Sequence, residues 1–300
     1  MSKIVKFLST VLMILLFISM APNLVRNIKT QYQDSLKTQV KVAKVKIKNE
    51  IQDIENYSKQ LTKYFKDNTI KAILLEIDSP GGSAGTSKAL FNEIQLLKKD
   101  YPKPLICLSH QCCASGAYHI ASTADYIIAS SASIVGSIGV TVGFFNISKI
   151  LKKYDVNYID KHSGVYKTVG SSFIPSSPEQ ELMLQELSNN IYNQFTNDVA
   201  TCRKLSLVDV DKWANGRVFT GEQALKLNLI DETGSKRNAI QKIKELALIK
   251  DEEEINWVTE EEPSVINKIL NRYQNNLSLE TESLIDALIT KLETRFIHCN

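Results

Sequence analysis

The chain has 300 residues, of which 43% are hydrophobic and 23% are charged, a globular composition that excludes a disordered chain. The formal net charge is +3 and no strongly basic patch stands out, which argues against nucleic acid as a partner. The five cysteines show no Cys-x-x-Cys or Cys/His ligand spacing, so buried free thiols are favoured over a zinc site.

Residues 1–30 are expected to form a membrane anchor with its flank. Residues 7–21 carry no charge and follow Lys3 and Lys6. Fifteen residues match a signal-peptide core, whereas a comfortable span needs roughly 20, which flanking apolar residues supply. The small residues at 19–21 suggest a cleavage site, but Pro22 would obstruct a leader peptidase there. We therefore favour an uncleaved anchor over a removed signal.

Residues 31–250 alternate between strand and helix patterns and are expected to form one domain. This alternation predicts an α/β fold with a largely parallel sheet. Strands are predicted at 41–47, 72–77, 104–108, 126–129, 138–142 and 156–159. Helices are predicted at 51–66, around 90–97, and at 114–123, 147–151, 177–199, 224–229 and 239–248.

Residues 251–300 are predicted to be an acidic linker followed by a helical tail. They contain eleven acidic and four basic residues, a net charge of −7. Two acidic runs bracket the expected linker, and residues 264–297 have the spacing of one or two amphipathic helices.

Two segments have the composition of an acyl-transfer site. In 78–82, the glycines Gly81 and Gly82 follow a buried strand, where backbone N–H groups can converge on an oxyanion. A tight strand-to-helix turn explains the same residues equally well. In 114–118, Ser115 stands among small residues near a predicted helix start, with the Gly116 N–H beside it. This pattern is typical of a nucleophile and also of a serine that caps a helix.

A serine nucleophile needs a base, and two kinds of residue are candidates. A lysine can act as the base once burial or a nearby cation lowers its pKa from about 10.4 to roughly 7–8. Lys167 has neighbours of low charge, although a surface lysine fits that setting too. His110 and His119 offer a histidine route. His119 lies one helical turn after Ser115, a poor position for that pairing, so we interpret it as a core or pocket-lining residue.

Five motifs, in this order and spacing, resemble the signal peptide peptidase A family, also called protease IV, which uses a Ser–Lys dyad. The resemblance covers roughly residues 40–250. The motifs are AILLEIDSPGGS (72–83), ASGAYHIA (114–121), IVGSIGV (134–140), SGVYK (163–167) and ANGRVFTGEQA (214–224).

The resemblance implies roles for six residues. Ser115 would be the nucleophile and Lys167 the general base, with Ser137 holding the lysine side chain. Gly81 or Gly82, together with the Gly116 amide, would form the oxyanion hole. No metal or other cofactor would be required.

The resemblance also implies an architecture and a setting. The fold would be an α/β superhelix similar to that of the Clp protease and the crotonases. Single-repeat members are similar to dome-shaped homo-oligomeric rings in which neighbouring subunits bring serine and lysine together. The chain would be a single-pass protein of the inner (cytoplasmic) membrane with its catalytic domain on the periplasmic or extracytoplasmic side. Its substrates would be remnant signal peptides or other short apolar peptides.

Several positions depart from the family pattern. Ala117 stands where a second glycine is usual, His119 where an aromatic residue is common, and Cys112 and Cys113 where small residues are usual. These departures bear on pocket shape and substrate preference more than on the reaction. Two other functions are weighed beside the protease. One is a crotonase-type acyl-CoA enzyme, which the membrane anchor disfavours, and the other is a non-catalytic ring-forming membrane scaffold.

Overall fold

The computed structural model describes residues 39–260 and eight helical residues between 13 and 26. Most of the predicted anchor at 7–21, and the predicted tail helices at 264–297, lie outside the described residues. Among the described residues, no helix combines the length and the apolar character that crossing a membrane requires.

Two sheets organise residues 39–258. The larger is parallel and has the order β8–β5–β3–β2–β1–β9. Its strands are β1 (Gln39–Lys48), β2 (Ile70–Asp78), β3 (Leu105–Ser109), β5 (Tyr126–Ala129), β8 (Glu232–Thr233) and β9 (Glu254–Val258). The smaller sheet, of order β4–β6–β7, comprises β4 (Cys112–Ala114), β6 (Ile134–Gly136) and β7 (Val218–Thr220). These sheets confirm the predicted mixed α/β fold with a mostly parallel sheet.

Helices cover both faces of the larger sheet. They are α1 (Glu55–Lys66), α2 (Ala84–Asp100), α3 (Gly116–Ala121), α4 (Ser148–Lys153), α5 (Pro178–Arg203), α6 (Val210–Trp213), α7 (Gly221–Lys226) and α8 (Lys236–Leu246). Successive strand residues point to opposite faces. Ala43 and Leu75 thus join the core that α1, α2 and α3 cover, whereas Val42 and Leu74 join the core beneath α8. Burial on both faces explains the nearly continuous apolar run of β2.

Several predicted elements are wrong or shifted. Residues 138–142 form no strand, because the backbone turns at Gly136 and Ser137, which have φ of 98° and 52° and end β6. Residues 156–159 are irregular and exposed, and among the described residues they pair with no strand. Helix α3 starts at Gly116 rather than at residue 114, because 112–114 pair as β4. The stretch between the two acidic runs, expected to be a linker, contains β9, which pairs with β1.

Residues 139–179 have no buried member, and we call them the exposed segment. This segment carries an unusual number of exposed large apolar side chains, with Phe145 86% and Ile159 79% exposed. The others are Val142, Phe144, Ile150, Tyr154, Val156, Tyr158, Val165, Tyr166 and Phe173. Apolar side chains that form a large exposed patch mark an interaction site more often than a free surface, so this concentration of them makes the segment a candidate interface.

Candidate active site

Two loops at the ends of β2 and β4 meet to form the site. Ser79 N–H donates to the Cys112 carbonyl at 2.8 Å, and Ala114 N–H donates to the Ser79 carbonyl at 3.2 Å. The Asp78 carboxylate accepts from Gln111 N–H at 3.1 Å and from Cys112 N–H at 2.9 Å. These bonds fix the 78–82 turn against the segment that leads into Ser115.

Ser115 occupies the sharp turn between β4 and α3. Its φ of 53° and ψ of −127° are rare for a residue with a side chain, and such strain clusters at functional sites. Its N–H donates to the Gly136 carbonyl at 2.7 Å, which holds the turn in place. Ser115 is half-buried, and its hydroxyl makes no hydrogen bond to any described residue. A strained strand-to-helix turn that presents a free hydroxyl is typical of a nucleophilic serine.

Gly81 brings the two loops into contact. A Cβ on Gly81 would lie 2.8 Å from both Gly116 N and Ser115 Cβ, and the φ of Gly81 is +103°. Its own N–H donates to Ser79 Oγ at 3.1 Å, so this amide is already engaged. Glycine at this position therefore serves close packing and an unusual backbone angle.

Gly82 and Gly116 present free amides beside the Ser115 hydroxyl. Neither N–H donates to another described residue, and Gly82 N lies 3.5 Å from where a Cβ on Gly116 would stand. Two amides fixed before the reaction are what an oxyanion hole requires. The geometry therefore favours Gly82 over Gly81 as the partner of Gly116.

Ser137 shares a cavity with Ser115. The volume of this cavity is about 410 Å³. The remaining side chains around it are mainly neutral and polar, among them Gln185, Asn189 and Tyr192. Among the residues that the structure describes, no lysine and no histidine lines this cavity. The cavity therefore has room for a base, and the described residues do not place one there.

Lys167 is not brought to Ser115 within the chain. Lys167 is a solvent-accessible residue of the exposed segment, and it lines an open cavity with Lys161 and His162. Its amine makes no hydrogen bond or ion pair with the described residues. Of the six residues that the sequence assigned to the site, four gather around Ser115 and Lys167 stays apart.

A second cavity, of about 260 Å³, adjoins Ser115 and both free amides; we call it the nucleophile cleft. His119 lines it and is stacked between Phe91 and Phe195, with ring centroids 4.6 and 4.5 Å away. Its Nε2 bonds to the Asp198 carboxylate at 2.8 Å. Its backbone N–H donates to the Ser115 carbonyl at 3.0 Å, but the described residues show no hydrogen bond between the imidazole ring and the Ser115 hydroxyl. The prediction that His119 lines a pocket is confirmed.

Asp198 and Lys88 form a polar corner of the cleft together with His119. Neither Asp198 nor Lys88 was predicted from the sequence. Lys88 Nζ lies 2.5 Å from Asp198 Oδ2, the oxygen that also bonds to His119. Burial lowers the pKa of His119, an effect that the bond to Asp198 opposes without cancelling. Burial alone would raise the pKa of Asp198, but the bonds from His119 and Lys88 outweigh it and lower the pKa. The corner therefore holds a neutral imidazole, a carboxylate and an ammonium.

Comparisons with known proteins identify the family of the chain. The family model described as Peptidase family S49 matches residues 97–250. A protein of Methanocaldococcus jannaschii, provisionally named a protease, is 35% identical over 74% of this chain and 75% of its own length. Protease 4 of Haemophilus influenzae is 36% identical over 70% of this chain but only 35% of its own length. An Enterococcus faecium protein, provisionally named signal peptide peptidase SppA, is 33% identical over 63% of this chain and 55% of its own length.

Proposed function

Because the chain belongs to peptidase family S49 and is a serine peptidase of the signal peptide peptidase A type, we propose that Ser115 is its nucleophile. We propose further that Lys167 of a neighbouring copy is the general base. The proposal rests on the placement of Ser115, whose strained backbone sets it beside two free amides. Among the described residues, the cavity that Ser115 shares with Ser137 has no lysine or histidine in its lining.

The base would arrive through assembly. The cavity shared by Ser115 and Ser137 is open and polar, and Lys167 lies on the exposed segment, whose apolar side chains lack cover. A second copy packed on that segment would bury those side chains and carry its lysine towards Ser115. A lysine amine enclosed between two copies loses water, which favours its uncharged form. The homo-oligomeric ring implied by the resemblance would contain such an interface between neighbouring copies.

The reaction would proceed through an acyl-enzyme. The neutral amine of Lys167 takes the proton of the Ser115 hydroxyl as its oxygen attacks the peptide carbonyl carbon. The amides of Gly82 and Gly116 donate to the carbonyl oxygen as it gains negative charge. The protonated amine then gives its proton to the leaving nitrogen, and water repeats the sequence to release the acid. Ser137 would orient the amine in the shared cavity.

The same proposal includes the cellular location of the chain and its substrates. Residues 7–21 would anchor the chain in the inner membrane with the catalytic domain on the periplasmic or extracytoplasmic side, within an α/β superhelix of the Clp protease and crotonase type. The substrates would be remnant signal peptides or other short apolar peptides. This choice draws on the name of the Enterococcus relative and on the predicted anchor, which would keep the site near membrane-embedded peptides.

The test uses the purified full-length chain, a fluorogenic signal-peptide substrate and a serine-directed fluorophosphonate probe. Ser115→Ala should abolish both turnover and labelling, and Lys167→Ala should lower turnover by about 100-fold or more. Lys161→Ala is the matched control, because Lys161 lines the same open cavity as Lys167, and it should behave as wild type. Activity retained in Lys167→Ala but lost in His119→Ala would replace the lysine with a histidine base. An assembled wild-type ring without turnover or labelling would indicate a scaffold.

A further inference from the structure

The nucleophile cleft has a polar corner that the proposed reaction does not use. Lys88 on α2, His119 on α3 and Asp198 on α5 meet there, with both contacts made to the same oxygen of Asp198. The three residues are far apart in sequence, so packing of the three helices brings them together. Lys88 and His119 line the cleft that also contains Ser115 and Gly116.

Lys88 is the group of this corner that a bound molecule would meet. Asp198 does not line the cleft, so the cleft is exposed to the ammonium and not to its counter-ion. An ammonium has three N–H donors, and Asp198 engages one of them. The Lys88 side chain keeps 30% of its surface exposed, and its amine lies 5.0 Å from the Phe91 ring centroid. Donors therefore remain available towards the cleft.

The rest of the cleft combines apolar walls with the side-chain amide of Gln194. Phe195, Ile191 and Val140 supply apolar surface, and Gln194 stands beside them. A purely apolar side chain entering this space would cover Lys88 and displace its water without replacing the lost hydrogen bonds, which is costly. A side chain with an apolar stem and an acceptor oxygen at its tip would satisfy both the walls and the ammonium.

We propose that the nucleophile cleft binds the substrate side chain next to the scissile bond, that it selects an acceptor-tipped side chain of the glutamine class, and that Lys88 determines this choice. The neutral amide is favoured over a carboxylate because Asp198 already balances the charge of Lys88. This inference rests on the proposed function and names the substrate feature that the same site recognises. It places one polar residue at the cleavage point of an otherwise apolar peptide.

The experiment measures kcat/KM of the full-length chain for three fluorogenic peptides that differ only at that position, with glutamine, glutamate or leucine. Glutamine should exceed leucine by at least about tenfold, the effect of one hydrogen bond to a charged donor. Lys88→Met keeps the stem and removes the donors, so the glutamine-to-leucine ratio should fall towards one. Lys99→Met, an exposed lysine on the same helix, is the matched control and should keep the wild-type ratio.

Asp198→Asn provides an independent test, because it removes the negative charge that pairs with Lys88. The kcat/KM for the glutamate peptide should then rise relative to that for the glutamine peptide. A wild-type enzyme that prefers leucine, or an unchanged ratio in Lys88→Met, would overturn the inference and leave Lys88 as a structural tether between α2 and α5. Labelling of Ser115 by the fluorophosphonate distinguishes failure of this inference from failure of the proposed function, since that probe carries no substrate side chain. Loss of labelling in wild type would refute the proposed function itself.

Discussion

The contact between α2 and α3 beneath Ser115 provides a quantitative test of how the site is packed. A Cβ added to Gly116 would lie 2.2 Å from Ser87 Oγ and 2.9 Å from Ser87 Cβ. The φ of Gly116 is not among the positive values, so Gly116→Ala introduces a steric clash and no backbone strain. Ser87 is fully buried, and its hydroxyl has no hydrogen-bond partner among the described residues.

These distances set the expected energies. Gly116→Ala overpacks the contact and should lower the free energy of unfolding by about 1–3 kcal/mol. Ser87→Gly removes both clashing atoms at a helix-propensity cost of about 0.5–1 kcal/mol. In the double variant the new methyl group fills the space that Ser87 vacates. The double variant should therefore be more stable than the sum of the single effects by about 1–3 kcal/mol.

The assay is a double-mutant cycle on the purified chain, with denaturant unfolding for stability and the rate of fluorophosphonate labelling for the site. Gly116→Ala should also slow labelling, because moving one oxyanion donor costs about 100- to 1,000-fold in rate, and Ser87→Gly should restore part of that rate. Additive effects in the cycle, or a Gly116→Ala variant as stable as wild type, would show that Ser87 does not lie against Gly116 and would refute the packing described here.

Three further predictions concern the base, the polar corner and the assembly. Ser137→Ala should lower kcat with little change in KM, because an orienting hydroxyl acts on the lysine and not on the substrate; a change confined to KM would contradict that role. The thermal midpoint should fall as pH drops below the ordinary His value of 6.5, since the folded state keeps His119 neutral while the unfolded state takes up a proton there. His119→Gln should weaken this dependence, and an identical pH profile in the variant would exclude His119 as its source. Phe145→Ser and Ile159→Ser should shift the mass measured by light scattering towards the monomer without lowering the thermal midpoint of the monomer; an unchanged mass would remove the exposed segment from the interface.

The strands that are buried on both faces were among the elements predicted correctly from the sequence. The runs at 72–77 and 104–108 became β2 and β3 because a strand covered by helices on both faces needs no polar alternation. The helix predicted at 177–199 begins as α5 at Pro178, where Ser177 and Gln180 form a capping box. At 138–142 the apolar residues suggested a strand, but positive φ at Gly136 and Ser137 overrides their propensity.

The site was predictable in its nucleophile loop and not in its polar corner. Gly81 and Gly82 follow β2 of the larger sheet, whereas Ser115, Gly116 and Ser137 follow β4 and β6 of the smaller sheet. A bridge between Ser79 and Cys113 brings these strand ends together. Choosing Gly82 over Gly81 required the bond from Gly81 N–H to Ser79, which no sequence pattern encodes.

Asp198 was missed because it lies 79 residues from His119. The available signal was its place beside Phe195 and Val199, at the edge of the apolar face of α5. The position of Lys167 relative to Ser115 depends on the proposed assembly, which the folding of a single chain does not determine.

Mixing two inactive variants tests the shared site most directly. Ser115→Ala and Lys167→Ala chains are co-expressed, purified as mixed assemblies, and assayed with the fluorogenic peptide. If serine and lysine come from neighbouring copies, some interfaces in the mixed assembly pair an intact Ser115 with an intact Lys167. Turnover then returns although each variant alone is inactive. Mixed assemblies that form but stay inactive would contradict a site built from two copies.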